Sequence, residues 1–200
     1  MYSGTNKSTY LSFERFKEIL DSHNDDFELQ IEGGEPLINP NLFLFLWYAK
    51  YTNRCKKIII TTNGKMLNKF LERFVNFNKE TNIPITIKMS LNYWLYKEDN
   101  NIFQKARDYY LATEFLESFN IIFNVRIRKE DNWIVDKSKE NKIYEYSNIY
   151  EFQSYGKLKD SEYSKPVIVQ NIDDWFLYSS DGICFGKDLV KRSEHERNLK

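Results

Sequence analysis

Cysteine and histidine are scarce in this sequence. Its 200 residues include two cysteines, Cys55 and Cys184, and two histidines, His23 and His195, all far apart along the chain. No pair of them has the close spacing of a zinc-binding motif, so a local structural metal site is not expected. The low cysteine content is typical of a protein from a reducing compartment.

Net charge and long apolar runs are also missing. The 29 Lys and Arg residues balance 29 Asp and Glu residues, so the chain lacks the basic excess of a general nucleic-acid or acidic-membrane binder. No stretch approaches the ~20 apolar residues that cross a bilayer. With 42% apolar and 16% aromatic residues, the composition supports a packed core. We predict a soluble, cytoplasmic protein without a membrane partner, and nucleic acid is the least favoured ligand.

Apolar periodicity predicts alternating strands and helices over the first two thirds of the chain. The first helix is predicted to begin after Ser12, whose hydroxyl suits the free amide groups of a first turn. The predicted strands cover 27–32, 58–62, 83–92 and 121–128, and the helices between them have apolar faces at 42–49, 67–75 and 103–116.

The order of these elements predicts the fold class. Strands that alternate with helices are typically parallel, which indicates an α/β sheet or barrel. Three of the four strands alternate apolar and polar residues, whereas strands sandwiched between two helix layers are continuously apolar. We therefore predict an open, TIM-like barrel of parallel strands with a polar lumen. A flat doubly wound sheet and an exposed antiparallel sheet are the alternatives.

Three regions are predicted along the chain. The barrel core covers residues 1–130. Residues 131–165 are polar, rich in Lys and Tyr and poorly periodic, which predicts an irregular insertion or linker with little order. Residues 166–200 are predicted to form a short strand at 166–169, a β-hairpin around Asp181-Gly182 and a charged, solvent-facing tail.

Candidate binding residues follow the predicted strands, because ligands in parallel α/β folds bind at the carboxyl ends of the strands. Adjacent glycines let a ligand approach the backbone closely, and a carboxylate suits an ammonium group. The candidates are Gly33-Gly34-Glu35-Pro36, Thr62-Asn63-Gly64, Ser90, Asn92, Asn124 and Arg126. Structural roles are also open: the two glycine motifs as turns, Ser90 as a helix cap, and Arg126 as an ion-pair partner of Glu32 or Glu35.

These motifs resemble those of the radical S-adenosylmethionine (SAM) superfamily, over about residues 10–128. Gly33-Gly34-Glu35-Pro36 looks like the family's GGEP motif, and the segment 59–64 resembles the TNG strand that follows one helix later. The resemblance implies a partial (β/α)6 barrel that binds SAM. It implies that Gly33, Gly34 and Glu35 hold the methionine end of SAM, with Pro36, Thr62 and Asn63 in the same two loops. It also implies that Ser90, Asn92, Asn124 and Arg126 face the ribose and carboxylate.

The chain departs from this family in its cysteines. Members bind a 4Fe-4S cluster through a CxxxCxxC loop after a first strand, and neither the loop nor the strand precedes Ser12 here. Thiolates are the ligands that such a cluster requires. We expect SAM as the cofactor, with a 4Fe-4S cluster only if the cysteine loop lies upstream of Met1.

The missing loop leaves two hypotheses about function. A truncated enzyme would be inactive alone in the family's reaction, the reductive cleavage of SAM to a 5′-deoxyadenosyl radical. A natural cluster-free form would instead bind SAM, a nucleotide-like ligand or a protein. No motif names the substrate, whether a small molecule or a peptide. The barrel edge left by the absent strand predicts pairing with a second copy or with another strand.

Overall fold

The computed structural model describes residues 10–128, 130–152 and 175–199. Within these residues, five β-strands alternate with α-helices, and two short 3-10 turns cover Pro36–Ile38 and Tyr144–Tyr146. The strands are β1 (Phe27–Ile31), β2 (Cys55–Thr62), β3 (Ile85–Asn92), β4 (Phe119–Ile127) and β5 (Ser147–Glu151). The helices are α1 (Phe13–Asp21), α2 (Leu42–Tyr51), α3 (Leu67–Thr81), α4 (Tyr93–Glu98), α5 (Ile102–Leu111), α6 (Asn132–Glu140) and α7 (Leu189–Asn198).

The five strands form one parallel sheet in the sequential order β1-β2-β3-β4-β5. A doubly wound sheet would reverse its strand order at a switch point. When sequential parallel strands are joined by crossovers of the same handedness, the connecting helices all lie on one face of the sheet. The fold is therefore α/β, an open sheet of the partial TIM-like barrel type. The predicted fold class is confirmed, and the two alternative sheets are excluded.

One face of this sheet is apolar and carries the core. Its side chains are almost fully buried against residues of α1, α2, α3 and α5, and this packing supplies the main hydrophobic contribution to stability. The strand residues on this face are Ile58, Ile60, Ile85, Ile87, Met89, Leu91, Phe119, Ile121, Phe123 and Val125.

The opposite face, which we call the lumen face, is mostly polar. Its residues lie in rows across the sheet because the strands are paired in register. From the amino to the carboxyl ends of the strands, the rows are Ile59–Thr86–Asn120, Thr61–Lys88–Ile122, Ser90–Asn124–Asn148 and Asn92–Arg126–Tyr150. The polar candidates on β3 and β4 are thus neighbours on one surface.

The expectation of little order from 131 to 165 is wrong for the first part of that segment. Residues 132–140 form α6, and 147–151 form β5, which pairs with β4 and extends the sheet. Ile134 and Ile143 are fully buried and anchor this region. They are too far apart to produce a visible periodicity. Residues 153–165 and the strand predicted at 166–169 lie outside the described residues.

The C-terminal region follows its prediction in part. An antiparallel bridge joins Tyr178 to Cys184 around Gly182, which has a φ of +84°, as the predicted hairpin requires. The tail is helical but not simply solvent-facing, because Arg192 on α7 forms a 3.0 Å ion pair with Glu32. Only 15% of the Arg192 side chain is exposed. Among the described residues, no helix combines the length and apolarity needed to span a membrane.

Candidate functional site

The double-glycine loop leaves β1 with open space beside its backbone. Gly33 has a φ of +144°, a conformation that glycine adopts readily and other residues do not. A Cβ built on Gly33 or Gly34 would meet no atom within 4 Å. A turn requirement therefore explains Gly33 but not Gly34, and the backbone of both residues is accessible to a ligand.

Glu35 joins this loop to the loop that follows β2. Its Oε1 accepts hydrogen bonds from the Leu37 amide at 3.1 Å and from Thr62 Oγ1 at 2.7 Å, and its Oε2 accepts from the Asn63 amide at 2.7 Å. A carboxylate offers about four acceptor positions. Glu35 therefore holds the two sequence motifs together and keeps roughly one acceptor position for a cation.

The side chains of the second loop serve its own structure. Thr62 Oγ1 accepts from the Gly64 amide at 3.1 Å, and Asn63 Oδ1 accepts from the Lys65 amide at 2.9 Å. Gly64 has a φ of +76°, and a Cβ there would collide with the Met89 side chain. The turn role considered for this motif is therefore present, and contact of Thr62 or Asn63 with a ligand stays a prediction. Pro36 is buried.

Ser90 has no structural partner in the described chain. It is 1% exposed, and its Oγ makes no hydrogen bond with any described residue. The cap role considered for Ser90 belongs to Asn92, whose Oδ1 accepts from the Leu95 amide at 3.0 Å at the start of α4. A buried hydroxyl without a partner costs about 1–3 kcal/mol. Ser90 thus holds an unused polar group on the lumen face.

Arg126 also carries a buried polar atom without a hydrogen-bond partner. Its Nε is buried and lacks a hydrogen-bond partner among the described residues. The ion pairs considered for it are not formed: Glu32 pairs with Arg192, and Glu35 holds the two loops together. Asn124, in the row below Arg126, is 8% exposed and is the register neighbour of Ser90. The lumen face therefore carries donors that the described protein does not use.

Aromatic residues surround the same end of the sheet. The ring centroids of Trp94 and Phe152 are 5.1 Å apart, and Arg128 lies 4.0 Å above the Tyr93 ring while it binds the fully buried Asp131 through two 2.6 Å hydrogen bonds. Such rings supply the apolar wall typical of small-molecule sites. Helix α4, which carries Tyr93 and Trp94, was not predicted, because its six residues are too few to show a helical period.

No metal centre is formed by the described residues, which contain no group of three or more His, Cys, Asp or Glu side chains that could hold a metal ion. Cys55 is the first residue of β2, not part of the preceding connection, and it lies at the end of the strand remote from the two loops. Burial raises the pKa of its thiol to about 11. Cys184 is exposed on the hairpin. The described residues do not fit a 4Fe-4S cluster.

The structure is similar to that of SuiB from Streptococcus suis, determined as a crystal structure with SAM bound. The TM-score is 0.50 and the sequence identity is 18%, over 78% of this chain and 36% of SuiB. The chain thus spans about a third of the length of SuiB, and at this identity the likeness shows the fold alone. No protein-family model and no curated protein matches the chain.

Proposed function

We propose that this chain binds SAM on the lumen face, as a partial barrel of the radical SAM type. The observation that carries the proposal is the pair of unpartnered polar groups, Ser90 Oγ and Arg126 Nε. Both belong to residues that the family resemblance assigns to the ribose and carboxylate of SAM. In this assignment Arg126 donates to the carboxylate, and the Ser90 hydroxyl bonds to the ribose or carboxylate oxygens.

The two loops suit the ammonium group at the same amino-acid end of SAM. The accessible backbone of Gly33 and Gly34 offers amide and carbonyl groups, and the remaining acceptor position of Glu35 suits an ammonium group. Neighbouring strands lie about 4.8 Å apart, so β1 to β4 extend over roughly 15 Å. The ammonium and carboxylate of SAM share one carbon atom, so this assignment requires the Arg126 side chain to reach across the lumen toward the double-glycine loop.

The proposal concerns binding and orientation. When bound, SAM supplies an electrophilic sulfonium group, and the residues named above hold its amino-acid end and its sugar. SuiB, whose fold this chain shares, was crystallised with SAM, which supports the choice of ligand. Reductive cleavage of SAM is assigned only to a form of the protein that also holds a 4Fe-4S cluster. A protein-interaction module is the alternative, and it predicts no SAM binding.

Calorimetric titration with SAM tests the proposal in the wild type and in Arg126→Met. Loss of a hydrogen bond to a charged group costs about 1.5–3 kcal/mol, so R126M is expected to weaken SAM binding by roughly 10-fold to 150-fold. Arg107→Met, on helix α5 of the apolar face, is the matched control and is expected to bind SAM like the wild type. Circular dichroism establishes that each variant is folded.

A second ligand locates the effect at the carboxylate. 5′-Methylthioadenosine lacks the amino-acid end of SAM, so R126M is expected to weaken its binding much less than that of SAM. An equal loss for both ligands would refute the carboxylate role of Arg126. Absence of any heat or thermal shift for the wild type at millimolar SAM would refute the proposed function and favour the interaction module.

A further inference from the structure

One cation on the lumen face has no role in the proposed SAM site. Lys88 lies in the row Thr61–Lys88–Ile122, two residues before Ser90 on β3 and therefore about 6.6 Å further from the carboxyl end of the strand. Its side chain is half-buried. It forms no hydrogen bond or ion pair with the described residues. Lys88 is thus a half-buried cation of the lumen face without a counter-charge from the described chain.

The two carboxylates that follow β1 already have partners. Glu32, which follows β1, binds Arg192 at 3.0 Å and also accepts a 3.0 Å hydrogen bond from Gln30 Nε2. Glu35 accepts three hydrogen bonds from the two loops. Because partly buried charges in proteins are normally paired, an unpaired lysine beside a ligand site indicates that the ligand brings the negative charge.

The proposed cofactor does not supply that charge. SAM carries a sulfonium, an ammonium and a carboxylate at neutral pH, and its single anionic group is assigned to Arg126. With SAM in place, the lumen would hold an additional positive charge close to Lys88. The electrostatics therefore favour a second ligand that is an anion.

We propose that Lys88 binds a carboxylate or phosphate group of a second ligand, the substrate, which shares the lumen with SAM. The identification of that ligand as a substrate rests on the proposed function. The position of Lys88, below the row of Ser90, places the anionic group deeper in the lumen than the SAM contacts. The substrate class is accordingly an acidic small molecule, or the acidic side chain of a peptide, small enough to enter beside Thr61.

Lysine acetylation followed by mass spectrometry tests the site without SAM. The rates of Lys88 and of the exposed Lys69 on α3 are compared in chloride, in acetate and in inorganic phosphate at one ionic strength. Binding of an anion to Lys88 is expected to slow its acetylation several-fold relative to chloride and to leave Lys69 unaffected. The stronger protection, by acetate or by phosphate, identifies the class of anion. Addition of SAM is expected to increase this protection.

A variant provides the second measurement. The anion that protects Lys88 is expected to bind Lys88→Met at least about tenfold more weakly than it binds the wild type. Competition with a fluorescent carboxylate or phosphate probe measures this affinity. Lys69→Met is the control and should bind the probe like the wild type. Any of three results would overturn the proposal: equal protection of both lysines, no protection of Lys88, or no acetylation of Lys88 even in chloride. Protection of Lys88 in a chain that does not bind SAM would refute the proposed function alone and support the anion site.

Discussion

Replacement of Ser90 by alanine separates a ligand-binding role from a structural one, because the two roles predict opposite changes in stability. The Ser90 side chain is 1% exposed and its Oγ has no partner among the described residues. Removal of that oxygen relieves a desolvation cost of about 1–3 kcal/mol, from which the lost packing of one atom must be subtracted. We expect S90A to raise the free energy of unfolding of the ligand-free protein by about 0.5–2 kcal/mol.

The same change should weaken SAM binding. A neutral hydrogen bond contributes about 0.5–1.5 kcal/mol, which corresponds to a loss of roughly 2-fold to 12-fold in affinity. Urea unfolding with and without SAM measures both effects on one sample. For a domain of this size the gain without ligand corresponds to about 1–8 °C in Tm.

Ser138→Ala is the matched control for this experiment. Ser138 is fully buried like Ser90, but its Oγ donates a 2.6 Å hydrogen bond to the Val135 carbonyl. We expect S138A to lose about 0.5–1.5 kcal/mol and to bind SAM normally. A ligand-free S90A protein that is less stable than the wild type by 1 kcal/mol or more would show that its hydroxyl is satisfied and would refute the reasoning.

Two further substitutions and one measurement of thiol reactivity have defined expected results. Asp131→Ala removes the carboxylate that accepts two 2.6 Å hydrogen bonds from Arg128 and leaves Glu130 as an ion-pair partner at 3.4 Å, so it should destabilise the fold by about 1.5–3 kcal/mol in urea unfolding; a loss below about 1 kcal/mol would contradict the pairing. Glu35→Ala removes the acceptor that joins the two loops and should lower stability by about 2 kcal/mol or more and weaken SAM binding, whereas unchanged SAM affinity would exclude Glu35 from the site. Burial raises the pKa of Cys55 to about 11, so its alkylation by iodoacetamide should be much slower than that of Cys184 at pH 8 and should rise about tenfold per pH unit up to pH 10, as followed by mass spectrometry. Equal rates for both thiols at pH 8 would contradict the burial.

The fold was predictable because its main determinant is local. Alternation in 83–92 separates Ile85, Ile87 and Met89 from Lys88 and Ser90, and the structure gives these two sets opposite faces of the sheet. The fifth strand was not predictable in this way. Its residues are mostly exposed, so no hydrophobic face constrains them, and its place in the sheet depends on pairing with β4.

The residues of the candidate site could be predicted from the sequence, but their hydrogen-bond and ion-pair partners could not. The motifs at 33–36 and 62–64 predict two loops, but only the structure shows that Glu35 joins them by hydrogen bonds. An ion pair between Glu32 and Arg126 could not be predicted or excluded from the sequence, because Glu32 pairs instead with Arg192, which is 160 residues away from it. Competition between two arginines for one carboxylate leaves no trace in the local sequence pattern.

The two hypotheses about function differ in what they require of the lumen face. An interaction module that uses its outer surface or a sheet edge gains nothing from a buried hydroxyl and a buried guanidinium nitrogen without partners, and each costs a noticeable part of the ~5–15 kcal/mol that stabilises a domain. Groups of this kind are expected where a ligand completes the hydrogen bonding. Both lie on β3 and β4, in adjacent rows, on the same face as Lys88. Two further buried nitrogens without partners in the described part of the chain, Arg54 Nη1 and Arg192 Nε, belong to side chains that already bind Leu20 and Glu32. The adjacent positions of Ser90 and Arg126 on one face favour a small-molecule site in the lumen over a purely structural role for the polar face.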